Sequence, residues 1–499
     1  MRQHSRKLTS RFVLSSVLIV CGCAVGPNFR PSAPPAQTGY TPEPLPAKTA
    51  SAQSRAGAAQ HFVKDLDIPG QWWTLLRSKK LNRLVDEALR NNPSLDSAQA
   101  ALRQAWENVK AQQGSYWPQV SAGVSGSRNL TAISAVSPAS ATGNPYYSLL
   151  TGQLNVSFVP DVFGANARQV ESLQAQAENQ RYQLEATYLT LTSNVVTAAV
   201  QEASLRGQIA ATEETVRLET DLLGILNRQL ALGQVAGTDV AAQEAALAQA
   251  QQALPPLQKQ LAQQRNALAN LLGRPPSAEP AERFDLDSLS LPRDVPVSVP
   301  AKLVAQRPDV QAAEQSLHSA SALVGVAVAA RLPQITLTAQ LGNEASTVSN
   351  MFTPGTNFWT IAAGLTQPIF QGGTLLHKQR AAEAGFEQAK AQYRSTVLTA
   401  MQNVADALRA LQADATALRA AVAFERAAFH SLEIVRRQLA LGQVAYLALL
   451  NAQQTYQQAR LARVQAEANR LADTAALFQA LGGGWWNRND VRADAADGR

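Results

Sequence analysis

The chain has 499 residues, of which 46% are hydrophobic and 16% charged, and its formal net charge is +7. The first 22 residues hold four basic and no acidic side chains, so the remainder carries 40 basic against 37 acidic side chains, a near balance that gives no support to nucleic acid as a partner. Both cysteines, Cys21 and Cys23, lie near the N terminus, which excludes a disulfide, a thiolate metal site or a cysteine nucleophile in the body of the chain.

The N terminus predicts an exported lipoprotein. Residues 1–22 place basic side chains ahead of an apolar run at 12–20, which is typical of a secretory signal peptide and too short for a membrane-spanning helix. The sequence V-C-G-C resembles a lipobox, which implies cleavage after Gly22 and acylation (palmitate) of Cys23. A plain signal peptide with two incidental cysteines is the alternative. We expect residues 23–80 to form a lipid-anchored N-terminal segment.

The body of the chain is a tandem duplication. RQLALGQVA occurs at 228–236 and again, letter for letter, at 437–445, an offset of 209. Upstream, NNPSL resembles QRPDV and YWPQV resembles RLPQI at an offset of 215. We therefore expect a first repeat at 81–282, a linker at 283–305, a second repeat at 306–485 and a C-terminal tail at 486–499.

In each repeat, two strands should precede a very long helix. Apolar residues alternate with small or polar ones in strands at about 115–128, 148–160, 333–343 and 357–369, with no charge between 115 and 127 or within the other three. Such strands are typical of a transmembrane β-barrel, although an ordinary soluble sheet is the alternative. Lipid tolerates no open sheet edge and a single-chain barrel needs at least eight strands, so four strands predict a barrel shared by two or three subunits. Only three subunits would leave a useful lumen.

The helices are predicted by two long stretches that lack proline. Long helices should span about 164–232 and 373–441, followed by return helices at about 238–272 and 446–481. At 1.5 Å per residue each long helix would measure about 100 Å. A seven-residue row runs along each long helix, from Tyr188 to Leu230 and from Val397 to Leu439, with a single glutamate in each row, which indicates coiled-coil packing. We expect Pro255 and Pro256 to break the first return helix.

Several motifs together resemble one bacterial family. They are CAVGPNFRP at the lipobox, the WW at 72–73, VPDVFGANARQVE, NALANLLGRPP, QRPDV, QPIFQGG, LLNAQQ and ALGGGWW, and they cover nearly the whole mature chain. The chain resembles the outer membrane factor (TolC-like) family, and within it the NodT-type outer membrane efflux lipoproteins of RND-type tripartite systems.

The resemblance implies a fold, a location and partners. The fold would be mainly α with a membrane β-barrel: a homotrimer with a twelve-stranded β-barrel and a twelve-helix α-barrel, four strands and long coiled-coil helices coming from each chain. The channel would span the outer membrane, extend into the periplasm and conduct drugs or other toxic small molecules. Its partners would be a periplasmic membrane-fusion (adaptor) protein and an inner-membrane RND-type pump, besides outer membrane lipid.

No catalytic or metal-binding pattern is present in the sequence. The four histidines of the mature chain, His61, His318, His377 and His430, have no metal-ligand spacing. Serine-hydrolase, phosphate-loop and zinc-protease motifs are absent from the sequence. We therefore expect no enzyme, no cofactor and no metal.

The turns and the helix starts after them supply the candidate site residues. Glycine allows a helix to reverse, and the resemblance implies that the two turns form periplasmic tips that dock the adaptor. These tip residues are Leu232, Gly233, Gln234, Leu441, Gly442 and Gln443.

The resemblance also implies a gate beyond the turns, where family members often carry rings of acids. Six residues past the two turn glycines stand Asp239 and Ala448, and nine past the second stands Asn451, so only Asp239 keeps a carboxylate. We therefore predict closure by apolar contacts around Leu447 and Leu450. Asp239 is expected to pair with Arg228 or Arg437.

Two other functions stay open. One is an outlet channel for protein secretion with an ABC transporter, which would share the channel body. The other belongs to a different class, a lipid-anchored periplasmic coiled-coil protein without a pore. The sequence does not reveal the substrate range or which pump and adaptor are used.

Overall fold

A computed structural model describes residues 24–37, 39–130 and 146–488 of the chain. The predicted signal peptide and the predicted lipidation site, Cys23, lie outside these ranges, as do residues 489–499 of the predicted tail. None of the helices in the described ranges combines the length and the apolar character needed to cross a lipid bilayer.

The fold is mainly helical, as predicted. Its α-helices are α1 (Lys79–Asn91), α2 (Pro93–Gln113), α3 (Ala165–Ala231), α4 (Gly237–Leu271), α5 (Pro300–Gln306), α6 (Pro308–Ala329), α7 (Thr374–Ala440) and α8 (Tyr446–Ala480). Its strands are β1 (His61–Lys64), β2 (Gln119–Leu130), β3 (Tyr146–Phe158), β4 (Asp294–Val297), β5 (Gln334–Ala345) and β6 (Asn357–Thr366). Short 3-10 helices lie at Arg55–Gly57, Trp72–Leu76, Gly114–Tyr116, Leu286–Ser288, Val348–Asn350 and Trp485–Asn487.

The helical hairpins of the two repeats match in length. Helices α3 and α7 contain 67 residues each, and α4 and α8 contain 35 each. Each helix of the second hairpin starts 209 positions after its counterpart, the same offset as the repeated nonapeptide. At 1.5 Å per residue, α3 and α7 are each about 100 Å long.

The predicted break at Pro255 and Pro256 was wrong, because α4 continues through both prolines. Proline removes the N–H that would bond to the carbonyl four residues earlier, here those of Gln251 and Gln252. Both glutamines and both prolines are exposed, so water can bond to the freed carbonyls and the helix continues.

Four strands form one antiparallel sheet in the order β2-β3-β5-β6. The two repeats meet at its centre, where β3 of the first repeat pairs with β5 of the second and Leu154 lies opposite Leu341. Strands β2 and β6 are the edges and each pairs on one side only within the described part of the chain. A second sheet contains only β1 and β4, which pair in parallel.

The described residues group into two compact units, and each unit contains parts of both repeats. The first comprises residues 24–32, 101–130, 146–180 and 313–393, and it contains the four-stranded sheet. The second comprises residues 33–37, 39–100, 181–312 and 394–488, and it contains both hairpin turns and the β1–β4 pair.

The tryptophans of the WW motif lie in the core of the second unit. Trp72 and Trp73 are each 1% exposed. Trp72 stacks on Phe478 of α8, with ring centroids 5.4 Å apart, and Trp73 contacts Tyr188 of α3 at 6.3 Å. This motif therefore fastens the segment before α1 to one helix of each repeat.

Arg470 of α8 holds a second part of the N-terminal segment. The residue is fully buried, and its guanidinium donates to the backbone oxygens of Ala56 and Ala58 at 2.8 and 2.7 Å and to Thr49 Oγ1 at 3.0 Å. One turn later, Thr474 Oγ1 accepts a hydrogen bond from Gln60 Nε2 at 3.2 Å. The charge-assisted hydrogen bonds of Arg470, together with the bond between Gln60 and Thr474, therefore form a clasp that holds residues 49–60 against α8.

A pair of acidic residues lies beside this arginine, Asp414 on α7 and Asp473 on α8. Burial, together with the neighbouring carboxyl of Asp473, raises the pKa of Asp414 to about 7, although the charge of Arg470 opposes the rise. Asp414 Oδ2 is buried, and no N–H or O–H group within the described ranges donates to it. A proton shared between the two carboxyls would satisfy this oxygen.

We expect this pair to make the folded protein less stable as the pH rises. Because the pKa of Asp414 is raised on folding, its contribution is fully present below about pH 4, the ordinary aspartate value, and is lost as the pH rises through about 7. Asp414→Asn should flatten the fall in melting temperature between pH 5 and pH 8, whereas Asp406→Asn, at an exposed position of α7, should not. An unchanged pH profile in Asp414→Asn would contradict the shared proton.

Candidate functional site

The four-stranded sheet has one apolar face. Side chains alternate along a strand, and residues paired across an antiparallel sheet share a face. The central rungs of one face hold only apolar side chains: Val120, Ala122, Leu154, Val156, Phe158, Ile335, Leu337, Ala339, Leu341, Trp359, Ile361, Ala363 and Leu365. In the single chain Val120 is 67% exposed and Ile361 76%. An apolar surface of this extent is typical of a face that contacts lipid or another protein.

The opposite face is polar and carries no charge in its central rungs. Ser121 pairs with Asn155, Asn155 with Gln340, and Gln340 with Thr360, which places these four side chains in one row across the sheet. Gln153 Nε2 also donates to Asn155 Oδ1 at 2.9 Å. A face of amides and hydroxyls can be wetted without attracting or repelling ions by charge.

The two nonapeptides fold into identical turns. Gly233 and Gly442 both have φ of +69°, in the left-handed region that glycine adopts without strain. The backbone N–H of Gln234 donates to the backbone oxygen of Gln229 at 2.9 Å, and the backbone N–H of Gln443 donates to the backbone oxygen of Gln438 at the same distance. These are the bonds of a Schellman motif, which ends a helix by satisfying its last carbonyls.

The predicted tip residues lie together at these turns and are exposed. Leu232 and Leu441 are each 72% exposed, and the adjoining glycines and glutamines are also exposed. Each turn therefore presents one leucine to solvent with most of its surface exposed.

The predicted gate residues lie in the first turns of the return helices and at the ends of the long ones. Asp239 and Ala448 are half-buried and Asn451 is exposed, whereas Leu447 is 60% exposed. Leu450 is partly buried against an apolar cluster behind the turns. Of the two predicted leucines, Leu447 alone is largely free of intrachain packing.

The predicted ion pair of Asp239 is not formed in the single chain. Arg228 Nε instead donates to the oxygen of Gly224, one turn earlier on its own helix, at 3.1 Å. Arg437 is exposed, and no ion pair joins Asp239 to either arginine within the described ranges. Each arginine lies five residues before its turn glycine, where solvent is available to its side chain.

Behind the turns, the two hairpins contact each other through a buried apolar cluster. Its buried members are Leu226 and Val240 from the first hairpin and Leu432, Tyr446, Leu449 and Ala452 from the second. Leu223, Val235, Val435, Leu439, Leu450 and Tyr456 pack against them. This cluster holds the base of α8 against the first hairpin.

Sequence reasoning missed three polar residues at this contact, which we call the buried bridge: Glu219, Gln243 and Tyr446. Tyr446 Oη donates to Gln243 Oε1 at 2.7 Å, and Gln243 Nε2 donates to the backbone oxygen of Glu219 at 2.8 Å and to its carboxylate. All three are less than 10% exposed. The signal that could have found them is the mismatch between the repeats, since Glu219 and Gln243 correspond to Ala428 and Ala452 at the 209-residue offset.

The left-handed turns give a direct test of the tip geometry. Gly442→Ala should destabilise the hairpin by about 1 kcal/mol, because alanine is strained at this positive φ even though the space for its Cβ is open. Gly237→Ala is the matched control: this glycine also has open space but lies in the first turn of α4, where alanine is the better helix former. Amide hydrogen exchange near the turns should quicken in the first variant and not in the second, and equal exchange in both would contradict the turn assignment.

Comparison with known proteins identifies the family. The model of the outer membrane efflux protein family matches residues 84–274 and 299–483, which together span most of the chain. Pyoverdine export outer membrane protein OpmQ of Pseudomonas putida is 29% identical over 433 residues, covering 84% of this chain and 89% of that protein. Outer membrane protein OprJ of Pseudomonas aeruginosa is 29% identical over 493 residues, covering 95% of this chain and 96% of that protein.

Solved structures agree with the sequence relatives. The outer-membrane channel OprN superposes with a TM-score of 0.82 at 25% identity, covering 93% of this chain and 100% of that one. The two family-model segments, 84–274 and 299–483, fall on the two repeats. The chain therefore belongs to the outer membrane efflux protein family.

Proposed function

We propose that the chain is the outer membrane channel of a tripartite efflux pump and conducts small molecules to the cell exterior. As a member of its family it is an outer membrane efflux protein. The observation that carries the finer proposal is the sheet, which has one apolar and one uncharged polar face on strands of 10 to 13 residues. Such strands suit a membrane on one side and water on the other.

Three copies of the chain would complete the pore. Strands β2 and β6 are edges within the described part of one chain, and open edges are not tolerated in lipid. Pairing β6 of one copy with β2 of the next would close a twelve-stranded barrel in a homotrimer. Helices α3, α4, α7 and α8 of each chain would supply the twelve helices of an α-barrel.

The contacts of the residues that follow Cys23 support a lipid anchor beside the sheet. The amide of Val25 donates to the oxygen of Phe163 at 3.1 Å, just past the end of β3. Arg168, 5% exposed, donates to the oxygen of Val25 at 3.1 Å and to Asn28 Oδ1 at 2.7 Å. An acyl group on Cys23 would then enter the membrane next to the apolar face of the sheet.

The exposed turns are the surface on which we place the adaptor. Leu232 and Leu441 offer the same apolar contact in both repeats, as a partner that recognises two equivalent tips would require. An RND-type pump in the inner membrane would complete the system. The named relatives are outer membrane and channel proteins, and we propose no catalytic activity, cofactor or metal for this chain.

The two other functions have less support. A protein-secretion outlet would need the same channel body, but one relative is named for export of pyoverdine, a small molecule. A coiled-coil spacer without a pore would not account for a sheet with an exposed apolar face.

Efflux in a deletion strain tests the function and the sheet together. Loss of the chain should increase susceptibility to toxic small molecules, and the intact chain should restore resistance. Leu341→Lys should fail to restore it, since a lysine on the lipid face costs roughly 2–4 kcal/mol at the bilayer centre. Gln340→Lys, the next residue on the polar face, should restore it. Unchanged susceptibility with lost secretion of one protein would favour the secretion outlet, and equal effects of the two lysines would contradict the assignment of the faces.

We place the resting constriction at apolar residues rather than at an acidic ring. Leu447 projects from the first turn of α8 with 60% of its surface exposed, whereas the second repeat has Ala448 and Asn451 where acids would stand. In single-channel recordings Leu447→Ser should raise the resting conductance and Asp239→Ala should change it little. If neither Leu447→Ser nor Leu450→Ser alters the conductance, the gate lies elsewhere.

A further inference from the structure

The central part of α3 is enclosed on every side but one. Every residue from 189 to 205 is buried except four, which are exposed. These four are Thr190, Asn194, Thr197 and Gln201. They follow one another at spacings of four, three and four residues, which places them on one face of the helix. The exposed face is therefore a narrow row of uncharged polar side chains, which we call the polar stripe.

Neighbouring helices lie on both flanks of the polar stripe. Gln264 of α4 donates to the backbone oxygen of Ala198 at 3.2 Å on one flank. Ser193 donates to Gln479 Oε1 of α8 at 2.8 Å on the other. Helix α3 therefore lies between α4 and α8, as a member of a helical wall would, and its two remaining sides are the inner and the outer surface of that wall.

The side of α3 opposite the polar stripe is covered by the ends of the chain. Trp73 of the N-terminal segment contacts the ring of Tyr188, with centroids 6.3 Å apart, and Arg488 pairs with Glu185 at 2.7 Å. At 3.6 residues per turn, Glu185 and Tyr188 point away from Thr190 and Asn194. A tunnel has to be filled with water, so the covered side is the outer one and the polar stripe faces the interior.

The second repeat carries the same stripe on α7. Four positions of α3 have identical residues at the 209-residue offset. They are Gln183, Thr187, Thr190 and Asn194, matched by Gln392, Thr396, Thr399 and Asn403. At the next position Thr197 is matched by Asp406, which is also exposed, whereas Val404 and Leu408 beside it are 0% exposed. The stripe of the second repeat therefore differs from the first by an added carboxylate.

Asp406 lies in an open groove of about 400 Å³ between α7 and α8. Asp473 also lines this groove, but it belongs to the carboxyl pair beside Arg470. Arg307 lines it too, is 8% exposed and donates to both carboxylate oxygens of Asp309 at 2.9 and 2.6 Å. Each of these two charges is balanced by a neighbour, so Asp406 gives the groove its net negative charge.

We propose that the polar stripes line the tunnel and that Asp406 sets its charge preference, so that neutral and cationic solutes pass more readily than anionic ones. This proposal rests on the proposed channel function. In a homotrimer three Asp406 carboxylates would stand at one level, alternating with three Thr197 hydroxyls. A ring of carboxylates between walls of low dielectric constant concentrates cations and repels anions. The amides and hydroxyls of the other positions bond to water and to neutral solutes without selecting by charge.

Reversal potentials of the open channel in planar lipid bilayers, under a potassium chloride gradient, test the role of Asp406. The intact chain should favour potassium over chloride at about 0.1 M salt. Asp406→Asn should lower this permeability ratio roughly twofold, because screening weakens the field of the carboxylates without removing it. Thr197→Asp, at the matched position of the first repeat, should raise the ratio.

Glu43→Gln is the control for these recordings, because Glu43 is a carboxylate of the N-terminal segment that pairs with Arg409 of the same helix α7 at 3.7 Å. This variant should leave the permeability ratio unchanged. A ratio that stays the same in Asp406→Asn, or that falls equally in Glu43→Gln, would overturn the proposal.

Thiol labelling tests the direction of the polar stripe. The chain has cysteines only at 21 and 23, so Asn194→Cys and Asn403→Cys each place one new thiol in the body of the chain. A positively charged methanethiosulfonate reagent should lower the open-channel potassium current in both variants and leave it unchanged after labelling of Glu43→Cys. An unchanged current after labelling of Asn194→Cys would overturn the proposal while leaving the channel function intact. Absence of any conductance from the unmodified chain would instead overturn the channel function, and this proposal with it.

Discussion

The long helices depend on the packing of each one against its return helix, since helices gain most of their stability from packing an apolar row. The heptad rows contain one glutamate each, and both glutamates are paired across the hairpin. Glu202 of α3, fully buried, meets Arg265 of α4 at 2.9 Å and Arg206 at 2.8 Å. Glu425 of α7 pairs with Arg463 of α8.

These pairs fix how far one helix can slide along the other. The side chain of Glu202 is fully buried, and without its arginines its carboxylate would be left uncompensated in an apolar seam, which is strongly unfavourable. The side chain of Glu425 is 21% exposed, so the same cost is smaller there. The apolar residues of the rows, such as Val195 and Val404, are fully buried but could pack in more than one register. The ion pairs therefore set the register, and the register places the two turns and the residues that follow them.

Much of the fold could be predicted from the sequence because it is repetitive. The duplication appears as a constant residue offset, the long helices as stretches without proline, and the strands as a two-residue alternation, and all three can be read from the sequence. The uninterrupted helix at Pro255 could not be predicted, because it depends on whether the freed carbonyls face water or protein. The site was less predictable: the turns follow from Gly233 and Gly442, but Tyr446 and Gln243 lie 203 positions apart and meet only through the folded hairpins.

The two repeats are similar in the sheet but differ in the contacts behind the hairpin turns. In the sheet the repeats meet at β3 and β5, and the same division into apolar and uncharged polar faces continues across the boundary. In the hairpins the identical turns conceal different contacts, with the acid and the amide in the first repeat and the hydroxyl in the second. The two repeats are therefore alike in the sheet, where both have the same apolar and polar faces. They differ behind the turns, where one hydrogen-bonded contact joins the first hairpin to the second.

The clasp at Arg470 has a consequence for how the N-terminal segment can vary. Two of the three acceptors of this arginine are backbone oxygens, of Ala56 and Ala58, and every residue type provides such an oxygen. Substitutions in this loop therefore keep the clasp as long as the path of the backbone is kept. A relative with a different sequence at these positions can still form the same hydrogen bonds to the segment. A substitution of Arg470 itself would remove all three hydrogen bonds at once.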